Sequence, residues 1–115
     1  MIRDTRPISW VKAALKDYQK FPKGAQLEIR RALTVAAEGA KAENAKPMKG
    51  LGPGVFEIAL KYRTDAYRVV YAVQIGEAIW VVHAFQKKSK TGIKTPKQDI
   101  DLIKKRTRET KELLK

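Results

Sequence analysis

Val55-Phe56-Glu57-Ile58-Ala59-Leu60, Ala66 to Ile75 and Ala78 to Phe85 follow one another with short breaks, and their reading decides the fold. In the first run Phe56, Ile58 and Leu60 share one side while Glu57 and Ala59 share the other. That is the period of two of a half-buried strand. The second run is rich in Val and Tyr, which suit a pleated surface. Gly76-Glu77 then leads into the third, and a glycine at the first position suits a tight hairpin turn. Connections this short join antiparallel neighbours, so the spacing predicts a three-stranded meander.

Upstream of it, Pro7 to Trp10 reads as a short first strand, and Ser9 as the cap of a helix with Val11, Ala14, Leu15 and Tyr18 on one face. Phe21-Pro22-Lys23-Gly24 ends that helix. A second helix follows, its buried stripe being Ile29, Leu33, Ala36, Ala37 and Ala40, and the two form an antiparallel hairpin. Lys41 to Gly54 reads as a loop rich in Gly and Pro. It lacks the Gly-Lys-Ser/Thr ending of a nucleotide-binding loop, so its glycines serve turns.

Downstream, Thr95-Pro96-Lys97-Gln98 matches a capping box, with Asp99 and Asp101 in the favourable first turn of a last helix. Ile100, Ile103, Thr107, Thr110 and Leu114 give that helix only a thin stripe, which predicts packing at an edge. The whole is one α+β domain over residues 1–115: an N-terminal helical hairpin on a small antiparallel sheet, plus a C-terminal helix.

Charge is the outlying property. Against 12 acids stand 25 Lys and Arg, a net charge of +13. The densest part is Gln86 to Lys97, with five lysines and no acid, directly after the third strand. A balance like this favours a polyanionic partner: nucleic acid, an anionic membrane surface or an acidic protein. Absence of cysteine excludes thiol catalysis and thiolate zinc sites, and a single histidine excludes paired His ligands. No apolar run is long enough to span a membrane and no secretory signal is visible, so the cytoplasm is the expected compartment.

Arg68 lies in Tyr67-Arg68-Val69-Val70-Tyr71, and alternation puts it opposite Tyr67, Val69 and Tyr71. A guanidinium there needs a carboxylate (Glu57 or Asp65) or a phosphate, and its planar fork suits the latter. Parity places Lys87, and not Lys88, on the face of His83 and Phe85. His83, read as alternating with Val81 and Phe85, is either a satisfied structural residue or a proton carrier near neutral pH. Phe85 is either core or a stacking platform for a base. Lys61 and Arg63 at the first hairpin turn extend the positive field, with Lys90 and Lys94 as outer contacts. Arg68 and the lysines are thus expected to face one shared hollow. Such a set suits RNA cleavage by its own 2′-hydroxyl, which needs a proton acceptor and positive charge on the phosphate.

Gly54-Val55-Phe56-Glu57-Ile58, Asp65-Ala66-Tyr67-Arg68-Val69-Val70-Tyr71-Ala72, His83-Ala84-Phe85-Gln86-Lys87-Lys88-Ser89-Lys90 and Thr95-Pro96 occur in that order. Together with the Lys46-Pro47-Met48-Lys49-Gly50 lead-in, they resemble the RelE/HigB-like toxins of bacterial type II toxin–antitoxin systems, notably the phage-derived HigB-like branch. The resemblance implies a RelE-like α+β fold and a ribosome-dependent mRNA endonuclease that works without metal or other cofactor. It implies two partners: mRNA on the ribosome, with contacts to ribosomal RNA, and a cognate helix-turn-helix antitoxin encoded nearby. Arg68 matches the family's strand arginine, and Lys87 and Lys88 its basic position after the last strand. Glu57 would support Arg68 by an ion pair. Where many relatives carry an arginine two residues after that glutamate this chain has Ala59, with Lys61 on the same face as a substitute. Two other readings fit the residues: a ParE-like inhibitor of DNA gyrase, and a nucleic-acid-binding module without catalysis.

Overall fold

In the computed structural model, residues 5–87 and 95–114 are described. Eight elements run in the order β1 (Ile8–Trp10), α1 (Lys12–Tyr18), α2 (Lys23–Ala37), β2 (Ala45–Pro47), β3 (Val55–Tyr62), β4 (Asp65–Ala72), β5 (Ile79–Lys87) and α3 (Lys97–Leu113). One five-stranded sheet has the order β1-β5-β4-β3-β2. The meander β3-β4-β5 is antiparallel throughout, as the short connections require. The first strand differs from its neighbours, because β1 adds to the β5 edge in parallel. A further strand, β2, lies inside the segment read as loop and pairs antiparallel with β3. Three residues carrying Pro47 are too short a run for periodicity to reveal, and proline is tolerated there because β2 is an edge.

Each face of the sheet has its own core. On one, α1 and α2 cover Ile58, Tyr67, Val69, Tyr71, Ile79 and Val81, with Ile29 and Leu33 of α2 fully buried against them. Phe56 and Tyr71, cross-strand partners, stack at 5.5 Å between ring centroids. On the other face Ile103 of α3 packs on Val55, Val70, Ala72, Ile75 and Val82. So α3 lies across a face, not at an edge. Its stripe is thin because the sheet there is half-covered, and Thr107 and Thr110 are buried beside Ile103. Of the predicted stripe Leu114 is exposed, and Ala40 lies beyond the end of α2 at Ala37.

Helix caps also depart from the expectation. Val11, not Ser9, is the N-cap of α1, and no side chain caps it. Ser9 instead stays in β1, opposite Trp80 of β5. Pro22 opens α2, and its entry is tied by Gln26, whose side chain donates to the carbonyls of Phe21 and Gln19. Pro96, not Thr95, is the N-cap of α3, again without a side-chain bond.

Candidate functional site

The register of the meander lays out three rows across β3, β4 and β5 on the α3 side. The first is Glu57–Val70–His83, the second Ala59–Arg68–Phe85, and the third Lys61–Ala66–Lys87. Directly paired residues project to the same face of a sheet, so the polar members of all three rows share one surface. A bulge makes this possible: Val70 pairs with His83 but Tyr71 pairs with Val81, leaving Val82 as the extra residue. Val81 therefore joins the core under α1 and α2, while Val82 and His83 face α3. Simple alternation, which put Val81 and His83 on one side, fails at this residue.

The first row is closed by the root of α3. Glu57 accepts from Arg68 Nη1 on Oε1 at 3.0 Å and from Thr95 Oγ1 on Oε2 at 2.7 Å. The hydroxyl expected to cap the helix thus reaches across 38 residues to the sheet. Next to it His83, 3% exposed, has both ring nitrogens engaged. Nε2 meets Asp99 Oδ1 at 2.7 Å and Nδ1 meets Arg106 Nη1 at 3.1 Å. A guanidinium only donates, so Nδ1 is the acceptor and Nε2 carries the hydrogen that goes to Asp99. Arg106 Nη1 also donates to the Val82 carbonyl at the bulge, at 3.1 Å. His83 is therefore a fastener between sheet and helix, with no nitrogen left to take a proton from a substrate.

Asp99 and Arg106 are the residues that sequence reasoning passed over as site members. Their spacing carries the signal: Asp99, Ile103 and Arg106 stand at i, i+4 and i+7, one helix face, with the buried isoleucine between the charges.

The second and third rows are more open. Arg68 is 8% exposed and ion-paired, so it is not the open cation expected but the floor of the surface. Ala59 beside it is exposed and contributes only a methyl group. Phe85, half-buried, stacks on His83 with ring centroids 5.1 Å apart. Lys61 is exposed and Lys87 half-buried, on opposite sides of Ala66. Their Cα atoms are about 10 Å apart, twice the inter-strand spacing. At the β3–β4 turn Arg63 is held at a φ of 59°, unusual for a residue with a side chain, and its guanidinium lies 5.4 Å from the Tyr62 ring. Lys88, Lys90 and Lys94 lie outside the described residues.

A hollow of about 340 Å³ opens along β5 beyond β1, between the end of α1 and the start of α3. Asp17, Lys20, Phe21, Phe85 and Asp99 line it. Its charges are mixed, in contrast to the wholly basic second and third rows.

Comparison with known proteins agrees with this architecture. A profile of phage-derived Gp49-like proteins matches residues 16–108. The chain belongs to the phage-derived Gp49-like family. Among solved structures it is similar to a double-arginine mutant of the E. coli toxin RelE in the free state, with 22% identity and a TM-score of 0.57, covering 70% of this chain and 81% of that one. It is also similar to the isolated E. coli RelE toxin, with 18% identity and a TM-score of 0.55, covering 87% and 97%. The Gp49-like chain thus has the RelE fold. No curated protein matches it by sequence. No helix among the described residues is long and apolar enough to cross a membrane.

Proposed function

We propose that this protein is the toxin of a type II toxin–antitoxin pair and an endoribonuclease that cleaves mRNA on the ribosome. Family membership and the RelE fold support the toxin reading. The observation that carries the chemistry is the row register: Lys61 and Lys87 flank Ala66, and Arg68 and Phe85 are paired in the next row.

In this reading the 2′-hydroxyl of the RNA gives its proton to water as its oxygen attacks the adjacent phosphorus. The bond from phosphorus to the 5′-oxygen breaks, and water returns a proton to that leaving oxygen. The products are a 2′,3′-cyclic phosphate and a 5′-hydroxyl. Negative charge grows on the phosphoryl oxygens, and Lys61 and Lys87 meet it one row from Arg68. Phe85 holds a neighbouring base by stacking, an interaction of about 1–3 kcal/mol. His83, Asp99, Arg106 and Thr95 position the surface and take no proton. With every imidazole nitrogen engaged, much of the rate rests on charge stabilisation and on the ribosome holding the RNA in line for attack. A cognate helix-turn-helix antitoxin with an acidic segment would neutralise the basic face.

Induction without an antitoxin, followed by mapping of mRNA 5′ ends, tests the reading. Wild type should arrest growth with codon-phased cuts, and Arg68→Lys should lose both while remaining folded. Arrest with intact mRNA and altered DNA topology would replace the reading with gyrase inhibition. Salt-sensitive RNA binding without toxicity would replace it with a non-catalytic module.

A further inference from the structure

Away from the three rows, the outer half of α3 forms a second basic surface. Lys104, Thr107, Arg108 and Lys111 stand at i, i+3, i+4 and i+7, a single stripe along the helix. They line a hollow of about 450 Å³, closed on the far side by Gly50 and Leu51, with Glu112 on its rim. None of the three cations is ion-paired to a described residue; among the described residues the pair within α3 is Lys97 with Asp101.

Thr107 marks this stripe as more than solvated lysines. It is 7% exposed, and its hydroxyl has no hydrogen-bond partner among the described residues. Helical threonines usually satisfy that group on the carbonyl one turn back. Thr34 does so on Arg30 at 3.0 Å, and Thr110 on Arg106 at 2.7 Å. Thr107 alone of these three keeps a buried donor at the wall of a hollow ringed by positive charge. A donor left unmade in a native protein calls for a ligand or a cost.

We propose that this hollow is a second phosphate-binding site, which grips the sugar–phosphate backbone of the RNA strand away from the scissile bond. Cations repeated one per turn suit a string of phosphates better than one compact anion. The stripe begins about 8 Å along the helix from Asp99, which meets His83 in the first row. The Lys61–Ala66–Lys87 row lies four residues further along the strands, about 13 Å, so a strand of several nucleotides would span both surfaces. Arg108 supplies a planar fork for phosphate oxygens, Lys104 and Lys111 point charges, and Thr107 a neutral donor. The identity of the ligand rests on the RNA-cleaving reading; the site itself does not.

The test is titration of the full chain with a single-stranded 2′-O-methyl RNA, which resists 2′-hydroxyl cleavage, over a range of salt concentrations. The variants are Lys104→Gln/Lys111→Gln and Thr107→Val. The double variant should bind about tenfold more weakly, its log–log salt slope shallower by about 1.4, since each single-strand phosphate that is no longer neutralised accounts for about 0.7. Thr107→Val should weaken binding about threefold at unchanged slope, with a melting temperature unchanged or raised, since no internal bond is removed and an unmet buried hydroxyl is. An unchanged slope in the double variant, or no RNA binding by wild type, overturns the proposal. Competition by inorganic phosphate as effective as RNA, per phosphate group, overturns the strand reading. If wild type cuts no mRNA yet the slope falls, the site stands and the endonuclease reading fails; if cutting occurs with the slope unchanged, this inference alone fails.

Discussion

Thr95 gives its hydroxyl to Glu57 at 2.7 Å, and that contact ties the start of α3 to the carboxylate that also holds Arg68. One glutamate therefore couples the cation at the centre of the sheet to the helix that covers it. The side chains of Arg68 and Glu57 are 9% and 14% exposed, so removing either takes an ion pair from a largely buried charge.

Glu57→Ala should cost about 3 kcal/mol by urea melting, near the low end for breaking a buried pair. Adding Arg68→Ala to it should cost less than the sum of the singles, because their shared ion pair is counted in each single. Additive losses would show that the pair is not coupled.

Asp99→Ala should loosen α3 selectively, because it removes the acceptor for His83 Nε2. Hydrogen exchange should show protection falling in Lys97–Leu113 by about tenfold, with α2 unchanged. Asp99→Asn, which keeps an acceptor oxygen, should restore most of it. Equal loss in α2 would mean that α3 is not a separate unit.

Arg63→Gly should leave stability unchanged or raise it by up to about 1 kcal/mol, since glycine accepts the φ of 59° without strain. RNA affinity should fall, as one cation leaves the hairpin tip. A large loss of stability would contradict the strain argument.

Alkaline pH should destabilise the fold through Tyr71, whose burial pushes its pKa up to about 12 from the ordinary 10.0. The raised value means that the folded state keeps its proton while the unfolded state loses it. Stability is therefore full below pH 10 and falls between about pH 10 and 12, by up to about 2 kcal/mol. Tyr67 acts in the same direction, through burial first and then the Asp65 charge. Tyr71→Phe should flatten the alkaline limb of a stability–pH curve; an unchanged limb would remove Tyr71 as its cause.

Much of this architecture is legible in the chain itself. Alternation in Val55 to Leu60 puts Glu57 and Ala59 on one face because that strand is regular, and the short turns leave only a meander. The same rule fails at His83 because Val82 is a bulge, and a run of Val-Val gives no sign of which residue is the extra one. Thr95-Pro96-Lys97-Gln98 reads as a cap because local pattern cannot know that a carboxylate 38 residues earlier offers a better acceptor. Arg106 escapes notice among the basic residues of α3, since only the fold reveals which of them meets His83. Local chemistry is written locally, whereas a network between elements exists only once they have packed.

The central claim is that Lys61 and Lys87, in register with Ala66 and one row from Arg68, carry the charge stabilisation of mRNA cleavage. Single-turnover cleavage of mRNA held in the decoding site of purified ribosomes tests it most directly, with wild type set against Lys61→Gln/Lys87→Gln. Wild type should give codon-phased cuts, and the double variant, shown to be folded by circular dichroism, a rate about 100-fold lower, a loss of about 2.7 kcal/mol of transition-state stabilisation. Equal rates in the two proteins, or intact mRNA with a wild type that still arrests growth, would contradict it.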